Sequence, residues 1–351
     1  MRVALAGAGN IARPYAARIA AEHGLELLGA TDPLDGRAQA LVDEFGGVAY
    51  ATLDELLADE RVDTVVNLTV PQVHAEVTTA ALLAGKHVHS EKPLALRHAD
   101  AQALVDLAQE QGVRLAAAPA TLLGEAQQTL WKLVREGAAG RVRAVYAEAN
   151  WDRLERWHPD PRSLYAVGPL VDVGVYPLSI LTALFGPVRV AQGWATTLEP
   201  ERRLLDGTPF APGAPDHVVA LLEHEGGVVT RLTASFYVGP SRQRGLELHG
   251  DEGSLWLPTW AEASSRVLHQ PRGGEYAEVP LVREPFDGID WGRALVDLAE
   301  AIAEGRPHRT SGEQGAHLVE VLEAVESSIT TGGAVTVASS FPQPEPLEWA
   351  R

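Results

Sequence analysis

Three residue groups in this 351-residue chain carry types and spacings that could do chemistry. The first is Glu91-Lys92-Pro93. Only three of the 29 basic side chains are lysines, namely Lys86, Lys92 and Lys132. Lysine is a compact donor whose pKa moves readily on burial, while a guanidinium stays charged, so a lysine kept here fits proton handling. On its own it reads equally well as a surface lysine ahead of a turn. The second group shifts that balance. Gly7-Ala8-Gly9-Asn10-Ile11-Ala12 follows the apolar run Val3-Ala4-Leu5-Ala6 with the spacing G-x-G-x-x-A. The first glycine permits a tight turn, the second lets backbone approach a pyrophosphate, and the small third residue lets helix and strand pack closely. Backbone N–H groups and the positive helix end bind the phosphates. Asp32 stands where a second strand should end, placed to accept from ribose hydroxyls. Its carboxylate repels a 2′-phosphate, which favours NAD. Arg37 can offset that repulsion, so NADP stays open.

These groups need elements to position them. Val3–Ala6, Leu25–Ala30, Val62–Thr69, His87–Ser90 and Val113–Ala117 read as strands. Between them Ile11–His23, Arg37–Phe45, Leu53–Ala58, His74–Ala84 and Ala99–Gln111 read as helices, with Thr52 as an N-cap. Such alternation specifies a doubly wound parallel sheet, a Rossmann domain over residues 1–118. Beyond a helix at Glu125–Glu136 the pattern turns to extended runs: Val142–Asn150, Val188–Thr197, His217–His224, Gly227–Tyr237 and Gln243–Gly250. A turn at Glu225-Gly226-Gly227 pairs two of them. Residues 119–351 are therefore expected to form an α+β domain on a large, mostly antiparallel open sheet, with late helices at Ile289–Glu304 and Glu313–Thr330 and a short strand at Ala334–Ala338. Two long segments, Asp152–Arg162 and Glu199–Pro215, interrupt it, and loops of that length are usually functional or disordered.

Composition narrows the function classes. No apolar run approaches eighteen residues, so no membrane-spanning helix is expected. No secretory leader is visible at the N-terminus, and a cytoplasmic location is expected. The absence of cysteine excludes disulfides, thiolate ligands and a cysteine nucleophile. A net charge of -18 argues against nucleic-acid backbones and acidic lipid as partners. No His, Asp and Glu spacing suggests a metal site, and none is expected.

The third group is Gly168-Pro169-Leu170-Val171-Asp172-Val173-Gly174-Val175-Tyr176-Pro177. If Asp172 and Tyr176 start a helix, their spacing puts both on one face. With the glycine turn and Glu91-Lys92-Pro93, this run resembles the glucose–fructose oxidoreductase, inositol dehydrogenase and rhizopine catabolism (Gfo/Idh/MocA) family over essentially the whole chain. The resemblance implies a Rossmann domain and a C-terminal domain whose open sheet serves oligomerisation, with the active site between the domains. It further implies Lys92 as catalytic lysine, a cis Lys92–Pro93 bond, and Asp172 as the acidic substrate-site residue. Tyr176 takes the position that is histidine or tyrosine among relatives. Thr69-Val70-Pro71-Gln72-Val73-His74 is similar to the family's Thr-Pro-Asn-x-x-His cofactor turn, with Val70 and Pro71 in place of Pro and Asn. Gly7, Gly9, Asn10, Ile11, Ala12, Asp32, Thr69, His74, Glu91 and Lys92 are thus the expected cofactor contacts.

Elementary chemistry supports a lysine–tyrosine pair. Taking a carbinol proton while hydride leaves the carbon needs a base that works near neutral pH, and a free phenol with pKa ≈ 10 is too little ionised. An ammonium about 4 Å away, at an effective dielectric of ~20, contributes ~4 kcal/mol and lowers the phenol by about three pKa units, with desolvation opposing part. Two assignments stand: Lys92 prepares Tyr176 while Asp172 orients the substrate hydroxyl, or Lys92 itself carries the proton. Trp151, Arg156 and His158 are the candidate sugar contacts, with a purely structural loop an equal reading of Trp157-His158-Pro159-Asp160-Pro161-Arg162.

The expected activity is hydride transfer between nicotinamide and a hydroxyl or keto carbon of a sugar, polyol or related carbohydrate, by a homodimer or homotetramer. Imine or enone reduction and redox-neutral glycoside cleavage are competing enzyme readings. A non-catalytic cofactor-sensing regulator is the competing class.

Overall fold

The run behind the glycine turn is wholly apolar, and Val3, Ala4, Leu5 and Ala6 are all at most 1 % exposed, as a strand covered on both faces requires. In the computed structural model, which describes residues 1–351, this run is β1 (Arg2–Ala6). There follow α1 (Ala12–Ala21), β2 (Glu26–Thr31), α2 (Arg37–Phe45), β3 (Val48–Ala49), α3 (Leu53–Ala58), β4 (Thr64–Asn67), α4 (His74–Leu83), β5 (His87–Ser90), α5 (His98–Glu110) and β6 (Leu115–Ala117). The strands form one parallel sheet in the order β3-β2-β1-β4-β5-β6. Strand order reverses at β1, so the glycine turn sits at the topological switch point, where open α/β sheets bind ligands. The Thr52 hydroxyl caps α3 by accepting from Glu55 N–H at 3.1 Å.

The chain divides into two units, Met1–Ala120 with Asp290–Val319, and Thr121–Ile289 with Glu320–Arg351. A division at 118/119 alone therefore misplaces residues 290–319. The helix Arg293–Glu304 buries Leu295 among Val3, Leu5, Tyr15 and Ile19. Ala316 and Val319, in the long helix Gly312–Thr331, pack into the core with Leu94 and Leu115. Ala117 N–H donates to Thr310 O at 2.9 Å, extending the free edge of β6.

The second unit comprises α6 (Glu125–Arg135), β7 (Val142–Asn150), α7 (Arg162–Pro169), a π-helical turn (Leu170–Gly174), α8 (Val175–Phe185) and β8 (Val188–Thr196). A small hairpin of β9 (Arg202–Arg203) and β10 (Pro209–Phe210) precedes β11 (His217–His224), β12 (Val229–Ser235), β13 (Gly245–Gly250), β14 (Gly253–Leu257), β15 (Val267–Pro271), β16 (Ala277–Val279) and β17 (Val335–Thr336). Nine strands make one sheet in the order β16-β15-β14-β13-β7-β12-β11-β8-β17. All neighbours are antiparallel except β7 and β12.

Along the central strands one face is sealed: Val145, Ala147, Ala149, Ala220, Leu222, Leu232 and Ala234 are all at most 1 % exposed. The other face carries Tyr146, Trp194, Leu221 and Val229, each more than 40 % exposed. The segment Arg162–Phe185 is long and apolar enough to cross a membrane by length and composition, which the run-length reading did not anticipate. Most of it is buried, as an apolar stretch that belongs to a protein core is.

Candidate active site

The turn after β1 is shaped by what it must approach. Gly7 has φ +104°, and a Cβ there would lie 2.7 Å from Leu68 O. Gly9 is different in kind: a Cβ there would meet nothing within 4 Å, so its surface is open. No side chain caps the start of α1. The N–H groups of Gly9, Asn10 and Ile11 make no hydrogen bond to the protein's own backbone. Uncapped donors at a helix N-terminus beside an open glycine fit a dinucleotide pyrophosphate.

Asp32 has a prior engagement that the sequence did not reveal. One oxygen accepts the Ala8 N–H at 2.8 Å and the other the Leu34 N–H at 2.9 Å. The carboxylate thus ties the glycine turn to the end of β2. A carboxylate offers about four acceptor sites, so room for ribose hydroxyls remains.

The other residues expected to contact the cofactor are linked behind this turn. Asn67 Oδ1 accepts from the Thr69 hydroxyl at 2.6 Å and from its N–H at 3.2 Å, while Asn67 Nδ2 donates to His74 O at 3.0 Å. The buried His74 ring bridges Pro93 O at 2.7 Å and Thr69 O at 3.0 Å. It is a joint between two loops, and the Lys92–Pro93 bond it helps to hold is cis. Glu91 is 6 % exposed and accepts the Tyr15 hydroxyl at 2.8 Å and the Lys92 N–H at 3.1 Å. Burial pushes the His89 imidazole down to about 3, so it is neutral, and its Nε2 lies 3.0 Å from the Tyr15 hydroxyl. Lys86, by contrast, is a structural staple, donating to the carbonyls of Asp59 and Val62 at 3.0 and 2.9 Å.

In the second unit, Asp172 lies in the π-helical turn and Tyr176 in the first turn of α8. The expected regular helix start is therefore a π turn, a feature frequent at functional sites. Tyr176 is 7 % exposed and stacks on Trp260, ring centroids 5.0 Å apart at 25°. Trp151 lies 5.7 Å from Trp260 at 29°. The Trp260 indole donates to Glu148 O at 3.1 Å, which fixes the middle ring. Trp151 and Trp260 help to line a cleft of about 430 Å³ with Asn150, Ser241, Gln243 and Arg244. Sequence reasoning missed Trp260, which no local pattern joins to Tyr176.

Arg156 and His158 are not gathered into this aromatic cluster. Arg156 donates to Asp152 at 3.2 Å, and His158 Nδ1 accepts the Asp160 N–H at 3.1 Å. Trp157 is 56 % exposed. The loop is held from beneath. Fully buried Arg202 donates to Glu155 at 2.7 Å, the Tyr165 hydroxyl at 2.8 Å and Asp216 at 2.6 Å. One guanidinium thereby clasps both long interrupting segments, and desolvation beside Glu155 drives the Tyr165 phenol well above its ordinary value.

Residues 1–118 match the oxidoreductase family with an NAD-binding Rossmann fold, and residues 127–256 match the Gfo/Idh/MocA C-terminal domain. The chain is 33 % identical to dTDP-3,4-didehydro-2,6-dideoxy-alpha-D-glucose 3-reductase of Streptomyces violaceoruber over 338 residues, 93 % of this chain and 95 % of that protein. It is 29 % identical to 1,5-anhydro-D-fructose reductase of Ensifer adhaerens, over 97 % of this chain and 99 % of that one. Its fold superposes on an NAD-binding oxidoreductase from Klebsiella pneumoniae with a TM-score of 0.84 and 22 % identity, covering 97 % of this chain and all of that one.

Proposed function

We propose that this chain, which belongs to the Gfo/Idh/MocA family of oxidoreductases, is an NAD-dependent dehydrogenase or reductase acting on a hydroxyl or keto carbon of a sugar or sugar derivative. The observation that carries the reading is the glycine turn with its uncapped donors and open Gly9, built into the same unit as a Lys92 anchored through Glu91 and Pro93. NAD, when bound, supplies or takes up the hydride. The protein's own task is to bind, orient and move a proton. Gly7–Ala12 hold the pyrophosphate, and Asp32 accepts from the ribose while holding the turn. Lys92, Tyr176 and Asp172 serve the proton transfer: the phenol exchanges the proton, the ammonium stabilises its ionised form, and the carboxylate orients the reacting hydroxyl.

The stacked, buried ring of Tyr176 supports this role, since a phenol fixed on Trp260 keeps its oxygen aimed without help from the substrate. Exposed Trp151 offers an apolar surface to the C–H face of a pyranose, with polar neighbours for its hydroxyls. Arg156 and His158 serve instead to shape their loop. Retention of Lys92 and Tyr176 together speaks against a cofactor-sensing regulator.

The decisive experiment monitors NADH absorbance with sugars, polyols and their keto forms, for the parent, Lys92→Ala, Tyr176→Phe and the double variant. Each single change lowers kcat by roughly 10²–10⁴ with NAD binding kept within a few-fold. The double variant loses far less than the product, as groups serving one step do. A Tyr176→Phe enzyme with full activity and an unchanged pH profile refutes its role.

The same reading includes a homo-oligomer assembled through the open sheet face bearing Tyr146, Trp194, Leu221 and Val229, since apolar faces of that extent are rarely left in water. Light scattering that finds only 37.5 kDa particles refutes it.

A further inference from the structure

The Tyr15 hydroxyl is the one side-chain link from α1, the helix that opens at the glycine turn, to the Glu91 carboxylate. Tyr15 is 1 % exposed, and 76 residues of chain separate the two partners. The direction of each hydrogen bond is set by what its neighbours can do. The Glu91 carboxylate can only accept, so the phenol proton points to its Oε1 at 2.8 Å. With that proton committed, the contact between Tyr15 and His89 at 3.0 Å requires the imidazole to donate from Nε2. His89 is neutral and has a single N–H, which leaves its buried Nδ1 without a partner. A buried imidazole nitrogen left bare is costly, and it is the consequence of holding the phenol in this one orientation. The other Glu91 oxygen accepts the backbone N–H of Lys92 at 3.1 Å. His89, Tyr15, Glu91 and the Lys92 backbone thus form one directed chain, with every bond inside the first unit.

We propose that Tyr15 is a positioning residue for Lys92, acting through the Glu91 carboxylate, so that the helix receiving the cofactor phosphates and the loop carrying the lysine are set as one piece. This rests on the reading of Lys92 as part of the proton-transfer machinery. Without the phenol oxygen, Glu91 loses a bond that fixes its rotamer, and the Lys92 backbone loses the stiffness of its acceptor. The pyrophosphate donors of the glycine turn keep their places, because none of them depends on Glu91.

The test compares Tyr15→Phe with Tyr50→Phe. Tyr50 is also a buried tyrosine of the first unit, and its hydroxyl donates to Asp59 at 2.8 Å, away from the lysine loop. Both changes remove one hydroxyl and keep the ring, so both register in a melting curve. Only Tyr15→Phe is expected to lower kcat, by about 10- to 100-fold, the loss of one hydrogen bond to a charged group. NAD affinity should stay within about three-fold of the parent. Glu91→Gln and the double variant Tyr15→Phe/Glu91→Gln complete a cycle, in which the double variant matches Glu91→Gln alone if both act through one path. Equal kcat for Tyr15→Phe and Tyr50→Phe, or losses that multiply in the double variant, overturn the inference. Lys92→Ala separates the two readings. A fully active Lys92→Ala removes the premise, whereas an inactive Lys92→Ala beside a normal Tyr15→Phe sinks only the link described here.

Discussion

Gly7 and Gly9 stand two residues apart in one turn, yet replacing each with alanine should break different things. At Gly7 the new methyl meets two obstacles. Its φ of +104° is a region that side chains avoid at a cost of roughly 1–2 kcal/mol. Its Cβ would also lie 2.7 Å from a backbone oxygen, Leu68 O, and the forced shift adds about 1–3 kcal/mol. Gly7→Ala should therefore destabilise the first unit by about 2–5 kcal/mol. At Gly9 the methyl enters open space in the free protein, so stability should stay within ~0.5 kcal/mol of the parent. On the proposed reading, that open space is where the pyrophosphate approaches. Losing even one charge-assisted bond there weakens NAD by about 10- to 100-fold. Thermal melts with and without NAD read both effects together. At a hundred times the parent's Kd, NAD stabilises the parent by about 2.7 kcal/mol, and a hundred-fold weaker variant by only ~0.4 kcal/mol. Gly9→Ala should thus melt like the parent without NAD and gain only about 0.4–1.4 kcal/mol from it, against about 2.7 kcal/mol for the parent. A Gly9→Ala protein that binds NAD within three-fold of the parent refutes the assignment of this turn to the phosphates.

Three further outcomes are expected. Asp32→Ala should weaken NAD about 10- to 100-fold and narrow the gap to NADP, because loss of the turn clamp burdens both cofactors while loss of charge favours only the phosphorylated one. An unchanged ratio of the two dissociation constants refutes it. Stability should fall as pH drops below 6.5, since burial depresses His89, His224 and His308 and the unfolded chain takes up protons that the folded one refuses. At pH 5 His89 alone contributes a loss of roughly 2 kcal/mol, and urea midpoints equal at pH 7.5 and 5 refute this. Arg202→Met should cost the second unit about 3–5 kcal/mol by stranding the buried Glu155 and Asp216 carboxylates, with new protease cuts in residues 152–162 and 199–215. A cleavage pattern identical to the parent's counts against the clasp.

What the sequence made legible was whatever depends on neighbours along the chain. The span His87–Ser90 and the hairpin at Glu225-Gly226-Gly227 follow from hydrophobic period and turn residues, and both are where that pattern puts them. β14, β15 and β16 escaped notice because five, five and three residues are too few for a period, and Pro258 and Gly273-Gly274 break the pattern between them. The glycine turn between β1 and α1 was readable because its spacing is local. The supports were not: Trp260 under Tyr176, Tyr15 behind Glu91 and Arg202 beneath the loops are each brought in by tertiary packing. Asp32 shows the intermediate case, where position was legible but the backbone donors that occupy it first were not.

The two-piece make-up of the first unit has a consequence for how the protein is born. Leu295, Ala316 and Val319 complete cores that Val3, Leu5 and Leu94 begin, so a ribosome that has released residues 1–120 has delivered an unfinished domain. Closure must wait until residues 121–289 have emerged, because the segment that completes the core, residues 290–319, follows them in the chain. A gene fragment cut at the apparent end of the Rossmann sequence would leave that apolar seam open to water and to other chains. Grafts or swaps of the first unit therefore have to carry residues 290–319 with them, and residues 121–289 are an insertion between β6 and the helices that complete its core.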